Sequence, residues 1–142
     1  MLYIWDIEEI IENTLNQHNL EINFEFNNQL PAPMCYNVST NTIRFNYLQI
    51  NGYKDKMNFK IKETDENFVK LILYHVLGYY FDFKKNKHDT RIIMYGEEDE
   101  IEQLKTIIET NAWEYGRTLV PEPLVESYDK MREMDKILLK SH

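Results

Sequence analysis

The sequence is poor in every residue that punctuates or staples a chain: one cysteine, four glycines and four prolines among 142 residues. A lone Cys35 excludes an intramolecular disulfide and fits a reducing compartment, so the expected location is cytoplasmic. Scarce Gly and Pro leave little material for linkers, and a chain of this length can bury a core without staples. Residues 1 to 142 are therefore expected to form a single domain, with disorder confined to the last few residues. Long apolar runs are also missing, since nothing approaches the roughly 20 apolar residues of a membrane span. The opening MLYIWDIEEIIENTL carries acids where a signal peptide needs a basic region. Neither secretion nor insertion is expected. Positive charge is short too: 16 basic residues face 24 acidic ones, a net of −8 that repels phosphate backbones. Direct nucleic-acid binding is disfavoured; an acidic domain can bind a basic protein surface or imitate DNA, but solubility alone is the more common reason for such a charge.

What the sequence has in quantity is aromatic side chains, with 10 Tyr, 7 Phe and 2 Trp. Ile4, Ile7, Ile10, Ile11 and Leu15 fall at helical spacing behind the early acids Asp6, Glu8 and Glu9, which predicts an amphipathic first helix over 4 to 18. LEINFEF, residues 20 to 26, alternates with the period of a half-buried strand. After the break NNQLPAP, a second strand is expected at TIRFNYLQI, entered through the turn-forming STN, and residues 51 to 63 read as a loop with a docking point at Met57, Phe59 and Ile61. Thr64 or Asp65 caps a helix running to about Phe83. KKNKHDT is a solvated break, RIIMY a short apolar run, and GEEDE opens a helix carrying Ile101, Leu104, Ile108, Ala112, Tyr115 and Leu119. PEP at 121 to 123 ends that helix and seeds a last one, with Leu124, Tyr128, Met131 and Leu138 inward. The fold class is α+β, with an N-terminal helix, a short sheet of two or three strands and later helices.

The stretch LYHVLGYYFD, residues 73 to 82, carries the chemistry worth weighing. A zinc-peptidase helix places two histidines four residues apart, so that both imidazoles reach one metal, with a glutamate after the first as general base. Here His75 stands at the first ligand position, Val76 at the base position and Tyr79 at the second ligand position. A second segment, IETNAWEYGRTLVPEPL at 108 to 124, sets Glu109, Ala112, Tyr115, Leu119 and Pro121 at helical spacing.

Together the two segments resemble the ImmA/IrrE family of small zinc metallopeptidases of bacterial phages and mobile elements, whose HELGH motif is followed by E-x-x-A-x-x-F and a leucine-rich end at proline. The resemblance covers residues 35 to 125. It implies a small zincin-like domain in which the motif helix follows the sheet and two further helices close the chain, with His75 and Glu109 as metal-ligand positions. The family's activity is cleavage of repressors or regulators, but this sequence lacks the base and the second histidine. Valine has no proton to exchange, a loss costing on the order of a hundred- to ten-thousand-fold in rate. Tyrosine binds zinc poorly because its phenol must first lose a proton with a pKa near 10. The expectation is thus a catalytically inactive, metallopeptidase-like protein with vestigial ligands His75 and Glu109 and no cofactor, acting by binding a repressor, host regulator or defence component. Two alternatives stay open: an active zinc peptidase whose site is rebuilt by Asp82 or His88, and an acidic DNA mimic.

Each residue also has a structural reading. Phe68, Leu71, Ile72, His75, Val76 and Tyr79 share a helix face, so His75 fits a hydrogen-bonded core histidine and its neighbours ordinary packing. Glu109 is either exposed or paired, and one specific expectation is that Tyr79 and His75 donate hydrogen bonds to it. His18, His88, Asp89 and His142 read as solvated, Trp5 and Trp113 as core or interface anchors, and Cys35 as a structural thiol.

Overall fold

The computed structural model describes the backbone of residues 1 to 140 and the side chains of residues 1 to 136. The side chain expected inward at Leu138, His142 and the end of the tail lie outside the described residues. Six helices and three strands follow one another as α1 (Ile4–Gln17), β1 (Asn23–Phe26), β2 (Met34–Asn37), β3 (Thr42–Phe45), α2 (Tyr47–Met57), α3 (Asp65–Lys85), α4 (Arg91–Tyr95), α5 (Glu98–Arg117) and α6 (Glu122–Lys140). The class is α+β, and among the described residues no helix is long and apolar enough to cross a membrane.

The sheet has the order β1-β3-β2, with β3 parallel to β1 and antiparallel to β2. Ile43 and Phe45, both fully buried, form its centre. In register they face Phe24 and Phe26 on one side and Tyr36 and Met34 on the other. Their neighbours Thr42 and Arg44 point to the opposite face, as the two-residue period of a strand requires. Arg44 meets Glu25 across the strands at 2.9 Å. The N-terminal helix buries Ile7, Ile10, Ile11 and Leu15, and these join residues of the sheet, α2, α3 and α6 in one apolar cluster.

Two expectations need correction here. The strand foreseen over 42 to 50 ends at Phe45, and the loop foreseen over 51 to 63 is in large part helix α2. Asn46 makes the change of structure: its backbone is extended, and its side chain accepts the Leu48 N–H at 3.2 Å, capping the new helix. Of the foreseen docking point, Met57 and Ile61 are buried while Phe59 is exposed. RIIMY forms the short helix α4, with Met94 and Tyr95 open to solvent.

The motif helix α3 is the axis of the molecule. Thr64 caps it by accepting the Asn67 N–H at 3.1 Å, and eleven of its residues are buried. It packs antiparallel against α5, and the glycine of HVLGY explains how closely. A Cβ on Gly78 would lie 1.7 Å from the Ala112 carbonyl oxygen, and one on Gly116 would lie 2.4 Å from that of Tyr74. Gly78 and Ala112, one from each half of the paired signature, are thus the point where the two backbones touch.

Candidate functional site

Close approach of α3 and α5 at Gly78 brings the neighbouring turns of both helices within side-chain reach. Tyr79 and His75, one helical turn apart on α3, both face Glu109 on α5. The Tyr79 hydroxyl donates to Glu109 Oε2. His75 Nε2 lies 3.1 Å from Glu109 Oε1, and Trp113, one turn along α5, donates its indole N–H to the same oxygen at 3.1 Å. The His75 and Trp113 rings stack with centroids 3.7 Å apart and planes 14° from parallel. Trp113 is in turn fixed from behind, where its carbonyl accepts the buried Tyr128 hydroxyl at 2.8 Å. The hydrogen-bonded cluster expected of His75, Tyr79 and Glu109 is therefore present, with Trp113 as a fourth member. Its signal was in the sequence, since position 113 is one turn from Glu109 on the same helix.

Electrostatics follow from this packing. Burial raises the Glu109 carboxyl, but the hydrogen bond and charge of His75 act against it, helped by the bonds from Tyr79 and Trp113. The net effect holds Glu109 below its ordinary value. Burial, then the adjacent Glu109 charge and the hydrogen bond to it, push the Tyr79 phenol far above its usual range. A phenol so strongly held in its protonated form serves as a donor and not as a metal-binding phenolate. Val76, at the base position, is 2% exposed and belongs to the apolar core.

The residues do not fit a zinc ion. Among the described residues no three His, Cys, Asp or Glu side chains converge as a metal site needs, and Glu109 already spends both oxygens on neighbouring donors. Asp82 and His88, the two alternatives for a displaced ligand, meet each other instead. Asp82 is fully buried, and His88 Nε2 lies 2.8 Å from its Oδ2, while Asn86 and Asn111 each donate to Oδ1 at 2.9 Å. His88 is thereby drawn into the fold and is not the solvated residue its polar loop suggested. Asp89, beside it, is half-exposed and pairs with Arg91 at 2.9 Å. His18 is likewise partly buried, held at the end of α1 by the helix-terminal backbone bond to Thr14. Trp5, in contrast to Trp113, is 65% exposed and stacks on Tyr3.

Beside the Glu109 cluster opens a cavity of about 300 Å³ between the edge strand β2 and helices α2, α3, α5 and α6. Its apolar walls include Met34, Ile72, Val76 and Met131, and half-buried Cys35 lies at its β2 side with a thiol raised chiefly by burial. Sequence reasoning missed two of its polar members, Tyr53 on α2 and Asp135 on α6. The Tyr53 hydroxyl donates to Asp135 Oδ1 at 2.7 Å. A usable signal existed for Asp135 alone: it interrupts the apolar stripe of α6 between Met131 and Leu138. Comparison with known proteins returned no matching family model, no matching curated protein and no matching solved structure.

Proposed function

We propose that this chain is a zincin-like domain of the ImmA/IrrE kind, from a phage or mobile element, that has lost peptidase chemistry and acts by binding another protein. The observation that carries the proposal is the engagement of Glu109. The carboxylate that the resemblance makes a metal ligand is tied to Tyr79, His75 and Trp113, and the position of the general base holds a buried valine. What the site retains is a cleft bordered by an unpaired strand edge, a place where a partner's side chains and main chain can dock. The partner classes that fit the resemblance are a repressor, a host regulator or a defence component, and the acidic surface favours basic contacts at the rim.

Metal analysis of protein purified without added zinc tests the loss of chemistry. Substoichiometric zinc in the wild type supports the proposal; tightly held zinc at one equivalent, lost on replacing His75 and Glu109 by alanine, would overturn it. Capture from the native host with wild type and with a Tyr36→Arg variant tests the contact. A partner retained by wild type and lost by the variant is expected, and equal retention by both rules out the cleft.

A further inference from the structure

The cavity beside the Glu109 cluster has a chemistry that selects its occupant. At about 300 Å³ it lies at the small end of ligand sites, which run from roughly 300 to 1,000 Å³, and takes a group the size of one long side chain. Met34, Ile72, Val76 and Met131 offer aliphatic walls, while the polar end holds two carboxylates, Glu109 and Asp135. Their situations differ. Glu109 receives three donors, whereas Asp135 receives one hydrogen bond from the neutral Tyr53 hydroxyl and, among the described residues, forms no ion pair. Asp135 lines the cavity, and among the described residues its Oδ2 accepts no hydrogen bond.

A carboxylate in an apolar recess with a single neutral donor is undercompensated. Burial raises the Asp135 carboxyl, Tyr53 and His75 lower it, and the charge of Glu109 raises it again, with a net upward result. A cation bearing N–H donors and an apolar stem would satisfy both the free oxygen and the walls. Anions are repelled, and a divalent metal lacks a third ligand. A guanidinium is held best through both oxygens of a carboxylate, and Oδ1 is shared with Tyr53, so the point-like donors of an ammonium group, which need only one oxygen, fit with less rearrangement.

We infer that this cavity binds a primary alkylammonium group, a lysine side chain of the partner protein, with Asp135 as the anchor and the apolar wall along its stem. The inference rests on the partner-binding function proposed above. The test is a nuclear magnetic resonance titration of the isotope-labelled full chain with N-acetyl-lysine N-methylamide, its uncharged norleucine analogue and butylamine, following the Trp113 indole signal. The lysine probe is expected to shift that signal and to bind about tenfold or more tightly than the norleucine probe, as a charge-assisted hydrogen bond implies. Asp135→Asn should remove that preference, whereas Tyr53→Phe should keep or strengthen binding because Oδ1 is freed. Equal binding of lysine and norleucine probes, no binding of either, or an unchanged preference in Asp135→Asn overturns the assignment. Butylamine binding more tightly than the lysine probe assigns the pocket to free amines and overturns a protein side chain as occupant. The two proposals fail distinguishably: a pocket indifferent to amines overturns this inference and leaves a cleft-dependent partner standing, whereas a pocket that prefers the lysine probe in a protein without any cleft-dependent partner overturns the function and, with it, the partner as source of the lysine.

Discussion

Asp82 and Glu109 do the same thing in opposite directions across the same pair of helices. Asp82 projects from α3 and gathers Asn86, Asn111 and His88; Glu109 projects from α5 and gathers His75, Tyr79 and Trp113. The first is sealed, with no exposed surface on its aspartate, and the second opens on a cavity, its glutamate side chain 36% exposed. A carboxylate with three donors is therefore a structural device in this fold, and hydrogen bonding alone does not mark a site. What marks the Glu109 cluster is the cavity beside it and a ring stack that fixes its histidine. The sealed cluster holds the chain together, and the open one holds a shape.

Substitutions that break this comparison separate the two roles. Gly78→Ala, at the crossing between the clusters, forces a methyl group into the Ala112 carbonyl, parts the helices and disrupts both clusters together. The expected loss is about 4 kcal/mol in urea unfolding, near the top of what single changes do. A loss below about 1 kcal/mol would mean the helices relax apart easily. Asp82→Ala leaves three donors unsatisfied in a sealed site and is expected to cost about 3 kcal/mol. Glu109→Gln should cost about 1 kcal/mol, because water in the cavity can replace lost partners.

The smallest effect is in pH. Glu109 has a folded-state value below its ordinary 4.5, so its charged form is favoured by folding. Its stabilising contribution is present above about 4.5 and is lost as pH falls through the lower folded value. Asp135 has the opposite shift and the opposite sign: its raised value makes the fold relatively more stable when it is protonated. Acid unfolding of Glu109→Gln should therefore show a shallower loss of stability below pH 4.5 than wild type, and Asp135→Asn a steeper one. Identical acid limbs for all three proteins would contradict the assignment of both carboxylates.

Much of this architecture was legible because it repeats a period. The faces of α1, α3 and α5 and the alternation of β1 follow from 3.6- and 2-residue spacing, which also puts His75 and Tyr79 on one helix face, while the expectation that Glu109 meets them came from the resemblance and not from spacing. Helix α2 was not legible, since it buries only Ile50 and Met57 and carries Asn51 and Gly52 in its middle. Strand β2 is four residues long behind a proline-rich break, too short for alternation to show. The Asp82–His88 and Tyr53–Asp135 pairs depend on how a loop returns and how the last helix docks, and no local pattern encodes either. The cavity itself is a property of five elements meeting, which a linear reading does not contain.

The central proposal is that α3 keeps the place of a metal-binding helix while Tyr79 turns the site from coordination to hydrogen bonding. Zinc titration of wild type and of Tyr79→His, followed calorimetrically, tests it most directly. In that variant the introduced imidazole, together with His75 and Glu109, would supply the three protein ligands of a catalytic-type zinc site. The expected result is one equivalent of zinc bound by Tyr79→His at least a hundredfold more tightly than by wild type, on the order of 3 kcal/mol. Equal affinities, or a wild type that binds zinc stoichiometrically and tightly, would contradict it.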